Sequence, residues 1–490
     1  MTAKKQKYII AGGGTAGWSA AAALSKFMQH VADIVLIESD EIRTIGVGEA
    51  TIPPIKTFHQ ILGLDEKAFV AASNASFKLG IKFENWTQQG SSYYHAFGET
   101  GLKHWAASFQ HYWLSAHIRG MNYAYDSFNP EATAADRGVF SHDCGITYAY
   151  HFDSAAYAKL LLQKCERAGV RRVEGKISKV NQDSESGNIE SLELSDGRTF
   201  TGDFFIDCTG FRALLIGEAL GVPFEDWSHH LFCDRAIAVQ TERINAPVPY
   251  TRAIAHEAGW RWRIPLNSRT GNGIVYSSAF LDDEAALDKL LSSVDGEVIS
   301  KPNHIRFTPG MRREHWKNNC LAIGLSAGFL EPLESTSIFF IHEAILNFIR
   351  HQGSIEHRPD NVSLFNRKIC DHWDKTKDFI ILHYLLNNRP EPFWQQCRDI
   401  DVPESLKSVV DLFATTGCVF DREQMLFREE SWVQVMLGQG LRPENLHQLA
   451  SGMSDDELKT FLDGLHLPIE ERLKNAPTHE QYLMKYMDAN

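Results

Sequence analysis

An α/β fold with mixed sheets, followed by a mainly helical C-terminal module, is predicted by three observations. A strand, a glycine-rich turn and an alanine-rich helix open the chain, strand-like runs alternate with loops to about residue 350, and helical periodicity runs from there to the end. The opening is legible residue by residue. Tyr8-Ile9-Ile10-Ala11 is a short buried-strand run, residues 12–17 make the turn, Trp18 to Met28 reads as helix, and Ile34 to Glu38 as the second strand. Together they form a Rossmann-like βαβ unit. Further on, Ser191–Leu194 and the run Phe200–Phe205 read as strands joined at an Asp196-Gly197 hairpin. Ser454-Asp455-Asp456-Glu457 is a capping box ahead of Leu458, Phe461, Leu462 and Leu465 at helical spacing. No internal repeat, low-complexity tract or linker interrupts the chain, so the boundary expected near residue 350 is soft.

Bulk properties narrow the function classes. The 490 residues are 43% hydrophobic and 23% charged, as in an ordinary globular protein with a real core. Lys and Arg number 49 against 62 Asp and Glu, a net charge of −13, which argues against a nucleic-acid or anionic-membrane partner. The eight cysteines are scattered without a C-x-x-C, and no close pairing of histidines suggests a metal. They read as reduced thiols of a cytoplasmic protein. The apolar run after Lys4 is broken by three glycines and Thr15, so neither a signal peptide nor a membrane span is expected.

Five motifs carry chemistry. Gly12-Gly13-Gly14-Thr15-Ala16-Gly17 sits between strand and helix, and Glu38 ends the next strand. Such glycines let backbone N–H groups approach a pyrophosphate at the helix N-terminus, while the acid accepts from ribose hydroxyls. Taken alone, a G-x-G-x-x-G is only a glycine-rich turn; the context makes it a dinucleotide fingerprint. Gly46-Val47-Gly48-Glu49-Ala50-Thr51-Ile52-Pro53 can run its backbone close against a flat ring, or be a plain loop. Phe77 to Glu84 alternates strictly, predicting one strand whose second face carries Lys78, Gly80 and Lys82. That face would ordinarily be solvated, but Gly80 leaves room beside Lys78 for something to dock. Gly259-Trp260-Arg261-Trp262-Arg263-Ile264-Pro265 fits either an edge strand ending at proline or one wall of an aromatic cavity. Finally, Ala322 to Ile338 runs from strand through loop to a helix beginning near Thr336. Its N-terminus is an anion site, or is capped by Ser335 or Thr336.

As a set, the motifs at 12–17, 46–53 (GVGEATIP), 77–86 (FKLGIKFENW), 259–265 (GWRWRIP) and 329–338 (FLEPLESTSI) resemble the flavin-dependent halogenases, the family that includes the tryptophan halogenases. The resemblance implies a flavin monooxygenase-type FAD-binding module over residues 1–350, including the lysine and GWxWxIP strands. A helical substrate-pocket module over 351–490 would pack with it as one unit. It implies FAD used as FADH2, with O2 and chloride or bromide as co-substrates and no metal. Hypohalous acid would be held at Lys78, by a hydrogen bond or as a haloamine, and would halogenate an electron-rich aromatic ring by electrophilic substitution. Glu334 would stabilise the ring cation or take its proton, with Ser335 linking the two sides. By the same matching, Thr336 and Ser337 form the halide site, and Gly48, Ala50, Ile177, Leu325 and Ile338 join Gly12 to Gly17 and Glu38 around the flavin. His95, Phe97 and Trp432 would flank the substrate. Ser337 stands where many members carry glycine, which leaves halide preference open.

The single dinucleotide fingerprint agrees with a two-component system whose FADH2 comes from a separate NAD(P)H-dependent flavin reductase; a homodimer is compatible with the resemblance. Members acting on free tryptophan carry a Tyr-Tyr pair in their C-terminal half, whereas residues 386–481 here hold no tyrosine. An indole-type substrate is therefore expected over tryptophan. The rival readings are a flavin-dependent aromatic hydroxylase and, from another class, a non-catalytic flavin-binding sensor or scaffold.

Overall fold

The computed structural model describes residues 5–41, 48–102, 106–352, 358–420 and 426–488. The chain divides into two compact units, each assembled from three segments. The first comprises Met1–Ala75, Phe152–Ser228 and Arg306–Asp374; the second comprises Ser76–His151, His229–Ile305 and Lys375–Asn490.

The first unit is built on a six-stranded sheet. Its parallel strands run in the order Cys320–Ala322, Phe204–Asp207, Gln6–Ala11, Ala32–Glu38 and Arg171–Glu174, and Trp316–Lys317 closes one edge antiparallel. Strands covered on both faces read as continuous apolar runs, which is why Tyr8–Ala11 and Ile34–Ile37 are buried without alternation. The first helix spans Thr15–Met28, starting earlier than the expected Trp18 because extended Gly14 serves as its N-cap. Its small residues bury it completely from Gly17 to Ser25, against the helices Ser154–Arg167 and Ser337–His351. The expected strand Phe200–Phe205 is in fact two. Thr199–Thr201 pairs in a hairpin with Ile189–Leu194, whereas Phe204 and Phe205 pair with Tyr8 and Ile9 in the central sheet. The chain changes sheets at Gly202, where a Cβ would stand 2.6 Å from Ile9.

The second unit centres on a seven-stranded sheet that includes, in order, Arg235–Glu242, Arg269–Tyr276, Gly259–Pro265, Thr251–His256, Gly80–Glu84 and Ser92–Ala96. The GWRWRIP segment is thus a central strand, which corrects the edge-strand alternative. Its terminal Pro265 sits at the end of the ladder, where a missing N–H costs nothing. Trp260 and Trp262 are both buried. Gly273 lies opposite Trp262, and a Cβ there would meet the indole at 2.0 Å. Trp86, Trp260, Tyr384 and Trp394 continue the aromatic packing on that side. The other face carries cations in ion pairs: Arg252 with Glu84 at 2.6 Å, Lys82 with Asp136 at 3.6 Å, and Arg263 with Asp295.

The expected single strand over Phe77–Glu84 is also two. Ser76–Lys78 pairs with Ala149–His151, and Gly80–Glu84 pairs in the seven-stranded sheet. Leu79 is the joint: its N–H donates to Pro249 and its carbonyl accepts from Phe97, both at 2.8 Å. Gly80 does not open a docking space. A Cβ there would stand 2.6 Å from Ala96 Cα, so the glycine permits backbone approach of the neighbouring strand. Lys78 and Lys82 consequently have different surroundings.

From residue 359 onward helices predominate, and the capping box at Ser454 and Glu457 is formed in both directions. All eight cysteines are free thiols. Among the described residues no helix is long and apolar enough to cross a membrane, and no group of three or more side chains is placed to hold a metal.

Candidate functional site

Fingerprint and acid meet at the C-terminal edge of the parallel sheet, where ligands of such folds bind. Gly12 has φ +105°, and a Cβ on it would stand 2.3 Å from the Cys208 carbonyl oxygen. A Cβ on Gly17 would stand 1.9 Å from the Gly12 carbonyl oxygen, and one on Gly13 would fall on Glu38 at 1.5 Å. Gly14, at φ −71° and ψ −173°, has backbone angles any residue can adopt. The helix it caps has no side-chain cap and no acid in its first turn, occupied by Thr15 and Ala16, so its leading N–H groups are left for an anion. Glu38 is held by Arg172, Nε to Oε1 at 2.5 Å, and Arg172 also reaches Asp40 at 2.8 Å. Nothing in the sequence marked Arg172.

Asp207 is another residue the motif reading missed. It ends the strand beside Ala11, is fully buried, and accepts from Thr209 N–H and Oγ1 and from the N–H groups of Leu215 and Ile216. Burial raises its pKa against those hydrogen bonds. Its own carbonyl accepts from Ile323 N–H at 2.9 Å, which brings the loop of the fifth motif to the same edge. There Gly324, at φ +70°, packs so closely on Ala16 that a Cβ would stand 3.1 Å from it. Leu325 is half-buried in that turn. Ile177 lies at the start of the strand Ile177–Gln182, against the core cluster that contains Ile37. Gly48 and Ala50 are buried on a short strand of their own, while Gly46 and Val47 lie outside the described residues.

The turn Pro332–Glu334 leads through Ser335, in the left-handed region at φ +58°, into the helix Ser337–His351. A non-glycine residue there is strained by about 1 kcal/mol or more, which the surrounding packing must offset. Glu334, Ser335 and Thr336 are buried. Thr336 occupies the N-cap position, and its side chain makes no capping hydrogen bond, so the capping expected of Thr336 does not occur. With no acid in the first turn either, the N–H groups around Ser337 and Ile338 retain their preference for an anion.

In the second unit Lys78 is 0% exposed, and its ammonium lies 5.4 Å over the Phe97 ring. Two histidines flank its strand. His479 accepts from Phe77 N–H at 3.1 Å through Nε2, and its Nδ1–H donates to the Pro247 carbonyl at 2.7 Å. Ser76 Oγ donates to the Pro265 carbonyl at 2.5 Å, so it accepts from His151 Nδ1–H at 3.2 Å, and His151 Nε2 accepts from Thr251 at 2.8 Å. Burial, then the Lys78 charge, holds the His151 pKa well below the ordinary histidine range. Burial lowers His479 to about 4. Both imidazoles are therefore neutral and each has a defined tautomer.

The three expected substrate-side residues are placed in this unit. His95 packs on Phe379 at 5.4 Å and Phe427 at 5.9 Å between ring centroids. Phe379 stacks on Phe427 at 4.0 Å and meets Trp432 edge-on at 5.0 Å. Phe379 and Phe427, which have no sequence signature, thus join His95 to Trp432 in one aromatic cluster. Phe97 follows two residues after His95, half-buried and facing Lys78.

A glycine-rich turn, an uncapped helix start and an acid at the C-terminal edge of a parallel sheet are the arrangement of a dinucleotide-binding fold. The comparisons specify the class: a profile described as tryptophan halogenase matches residues 7–455. The chain is 37% identical to the tryptophan 7-halogenase RebH of Lentzea aerocolonigenes, over 84% of this chain and 82% of that protein. It is 34% identical to the tryptophan 6-halogenase ThaL of Streptomyces albogriseolus, over 89% and 90%. Among solved structures it matches Xcc4156, a flavin-dependent halogenase from Xanthomonas campestris, with TM-score 0.97 and 47% identity over 99% of both chains. It also matches BrvH, a flavin-dependent halogenase from Brevundimonas sp. BAL3, with TM-score 0.94 and 38% identity over 99% of both. The chain belongs to the tryptophan halogenase family of flavin-dependent halogenases.

The neutral His479 has a measurable consequence. Its pKa is about 4 when folded and about 6.5 when unfolded, so the unfolded chain binds more protons between those values. The stabilising contribution is complete above pH 6.5 and is lost as pH falls toward 4. His479→Gln keeps an amide donor and acceptor but cannot be protonated. Denaturant titrations at pH 7 and pH 4 should show the stability gap between wild type and variant narrowing on acidification, by about 3 kcal/mol at most. An unchanged gap would mean His479 is charged in the native state.

Proposed function

We propose that this halogenase binds FAD as FADH2 at the Gly12–Gly17 turn and uses Lys78 to deliver hypohalous acid to an indole-type ring. The observation that carries this reading is the burial of Lys78, whose ammonium faces the ring of Phe97, two residues beyond His95. The cradle suits the cofactor: Gly12, Gly13 and Gly17 are each required by a close approach, and the uncapped helix start suits a pyrophosphate. Gly48, Ala50, Ile177, Leu325 and Ile338 are the further residues assigned to its binding, and Glu38 to the ribose. When bound in its reduced form, the flavin supplies the electrons with which O2 and chloride or bromide become hypohalous acid and water. Thr336 and Ser337 would hold the halide at the uncapped helix start.

Lys78 donates a hydrogen bond from its ammonium to the oxygen of hypohalous acid and so polarises the O–X bond. The aromatic carbon attacks X, the O–X bond breaks, and oxygen leaves as water after taking a proton. Glu334 is assigned to the positive charge on the ring and to the proton its carbon loses, so that Ar–H and HOX give Ar–X and H2O. His95, Phe97 and Trp432 are assigned to the ring. The curated relatives named above act on tryptophan. An indole-type substrate is favoured here because a zwitterionic tail left without partners is costly, and no tyrosine occurs between residues 386 and 481. The reading includes a separate flavin reductase as the source of FADH2.

Four variants test these assignments. Gly14→Val, at backbone angles valine tolerates, should abolish FAD affinity in fluorescence titration while leaving the melting temperature near wild type. Retained affinity would move the cofactor elsewhere. With a flavin reductase, NADH, bromide and indole, mass spectrometry should find brominated indole from wild type and none from Lys78→Ala, although O2 consumption continues. More than a few per cent residual halogenation would sink the lysine assignment; Lys82→Ala should be tolerated. Glu334→Gln should lower kcat about 10²-fold with FAD affinity unchanged. A collapse of FAD affinity instead would make Glu334 part of the flavin cradle. Competition between equal indole and tryptophan decides the substrate, and a higher kcat/KM for tryptophan would overturn the indole preference.

A further inference from the structure

Among the described residues the strand Ser92–Ala96 is the edge of the seven-stranded sheet, with no strand on one of its sides. Side chains occupy that side instead. Asp126 Oδ2 accepts from Tyr94 N–H at 3.4 Å, and two residues on, Gln434 takes both backbone groups of Ala96. Gln434 Oε1 accepts from Ala96 N–H at 2.8 Å, and Gln434 Nε2 donates to the Ala96 carbonyl at 3.3 Å. The amide is 3% exposed and does for Ala96 what one rung of an eighth strand would do. Ala96 is the residue between His95 and Phe97.

Gln434 belongs to the helix Glu429–Gly438, which also carries Trp432 in its first turn. The same helix is pressed onto the strand further along. Gly438 abuts Tyr93, where a Cβ would stand 2.5 Å from the ring, and Gln439 donates to Tyr93 Oη at 3.1 Å. One helix therefore carries Trp432 and grips the backbone that bears His95 and Phe97. Two hydrogen bonds to one residue set both the distance and the angle between helix and strand, which an apolar contact would leave free to slide.

From this we infer that Gln434 is a positioning residue that sets the spacing of the aromatic walls, and through it which carbon of the ring faces Lys78. The inference rests on the proposed halogenation at Lys78. Gln434 is placed to act through its two hydrogen bonds to Ala96. Its removal should change how a ring is held while leaving the flavin chemistry intact.

The test compares wild type with Gln434→Leu and Gln434→Glu, each with a flavin reductase, NADH and bromide. The readouts are KM and kcat for indole, the ratio of brominated isomers from 3-methylindole, and O2 consumption. Gln434→Leu loses both hydrogen bonds and should raise KM about tenfold with a much smaller fall in kcat. It should also spread bromine over more ring positions, at unchanged O2 consumption. Gln434→Glu keeps the acceptor for Ala96 N–H and should lie between; it carries the test if the leucine variant does not fold. A merely structural role would lower the yield of active enzyme and scale all rates together, leaving KM and isomer ratio at wild-type values. That outcome in both variants would overturn the inference while wild-type bromination stands. No brominated product from wild type with either ring would instead overturn the halogenation reading, and this inference with it.

Discussion

The close approach of Gly17 to the Gly12 carbonyl governs the first unit. With hydrogen in place of Cβ at residue 17, the helix Thr15–Met28 can begin directly over the end of the first strand; a methyl group would sit 1.9 Å from that carbonyl oxygen. Everything at that edge is stacked on this contact. Glu38 reaches under Gly13, Gly324 packs on Ala16, and Cys208 N–H donates to the Ala11 carbonyl beside the turn. The sheet supplies the frame and Asp207 joins its parts, since one buried carboxylate accepts from four donors of the following turn and helix. Removing it would leave several donors unsatisfied in an apolar surround, a cost of about 1–3 kcal/mol for each.

The second unit solves a different problem, which is how to bury an ammonium. Desolvating a charge is expensive unless its surroundings compensate. Here the Phe97 ring offers its face, and the two histidines hydrogen-bonded to the lysine strand, His151 and His479, are neutral and so add no repulsion. Both histidines spend their hydrogen bonds on backbone or hydroxyl groups that pin the strand. Lys82, four residues away, meets the ordinary fate of a sheet lysine: an exposed acid at 3.6 Å and a tyrosine ring at 4.9 Å. The difference between the two lysines is made by the joint at Leu79.

The tryptophans of the GWRWRIP strand are core residues first. They occupy the interior of a central strand, seated against Gly273 and the aromatic cluster of Trp86 and Trp394. Gly273 follows from the same packing, because the residue opposite the Trp262 indole must give up its side chain. Arg261 and Arg263, which alternate with the tryptophans, lie on the opposite face, as strict alternation demands of a two-faced sheet.

The βαβ unit, the helical C-terminal part and the family could be read from the residues in order. These depend on local rules: glycine where a Cβ cannot fit, apolar runs where both faces are buried, caps where helices begin. Lys78, Glu334 and the 336–338 helix start were legible as a resemblance carried by contiguous motifs. That Phe77–Glu84 is two strands emerged from the fold, since the break depends on Phe97 and Pro249 hydrogen-bonding to Leu79 from elsewhere in the chain. The fold alone made GWRWRIP a central strand, because strand order is a long-range property that alternation does not encode. And it alone assembled His95 with Phe379, Phe427 and Trp432, four aromatic residues from three distant segments, each indistinguishable in sequence from any core residue.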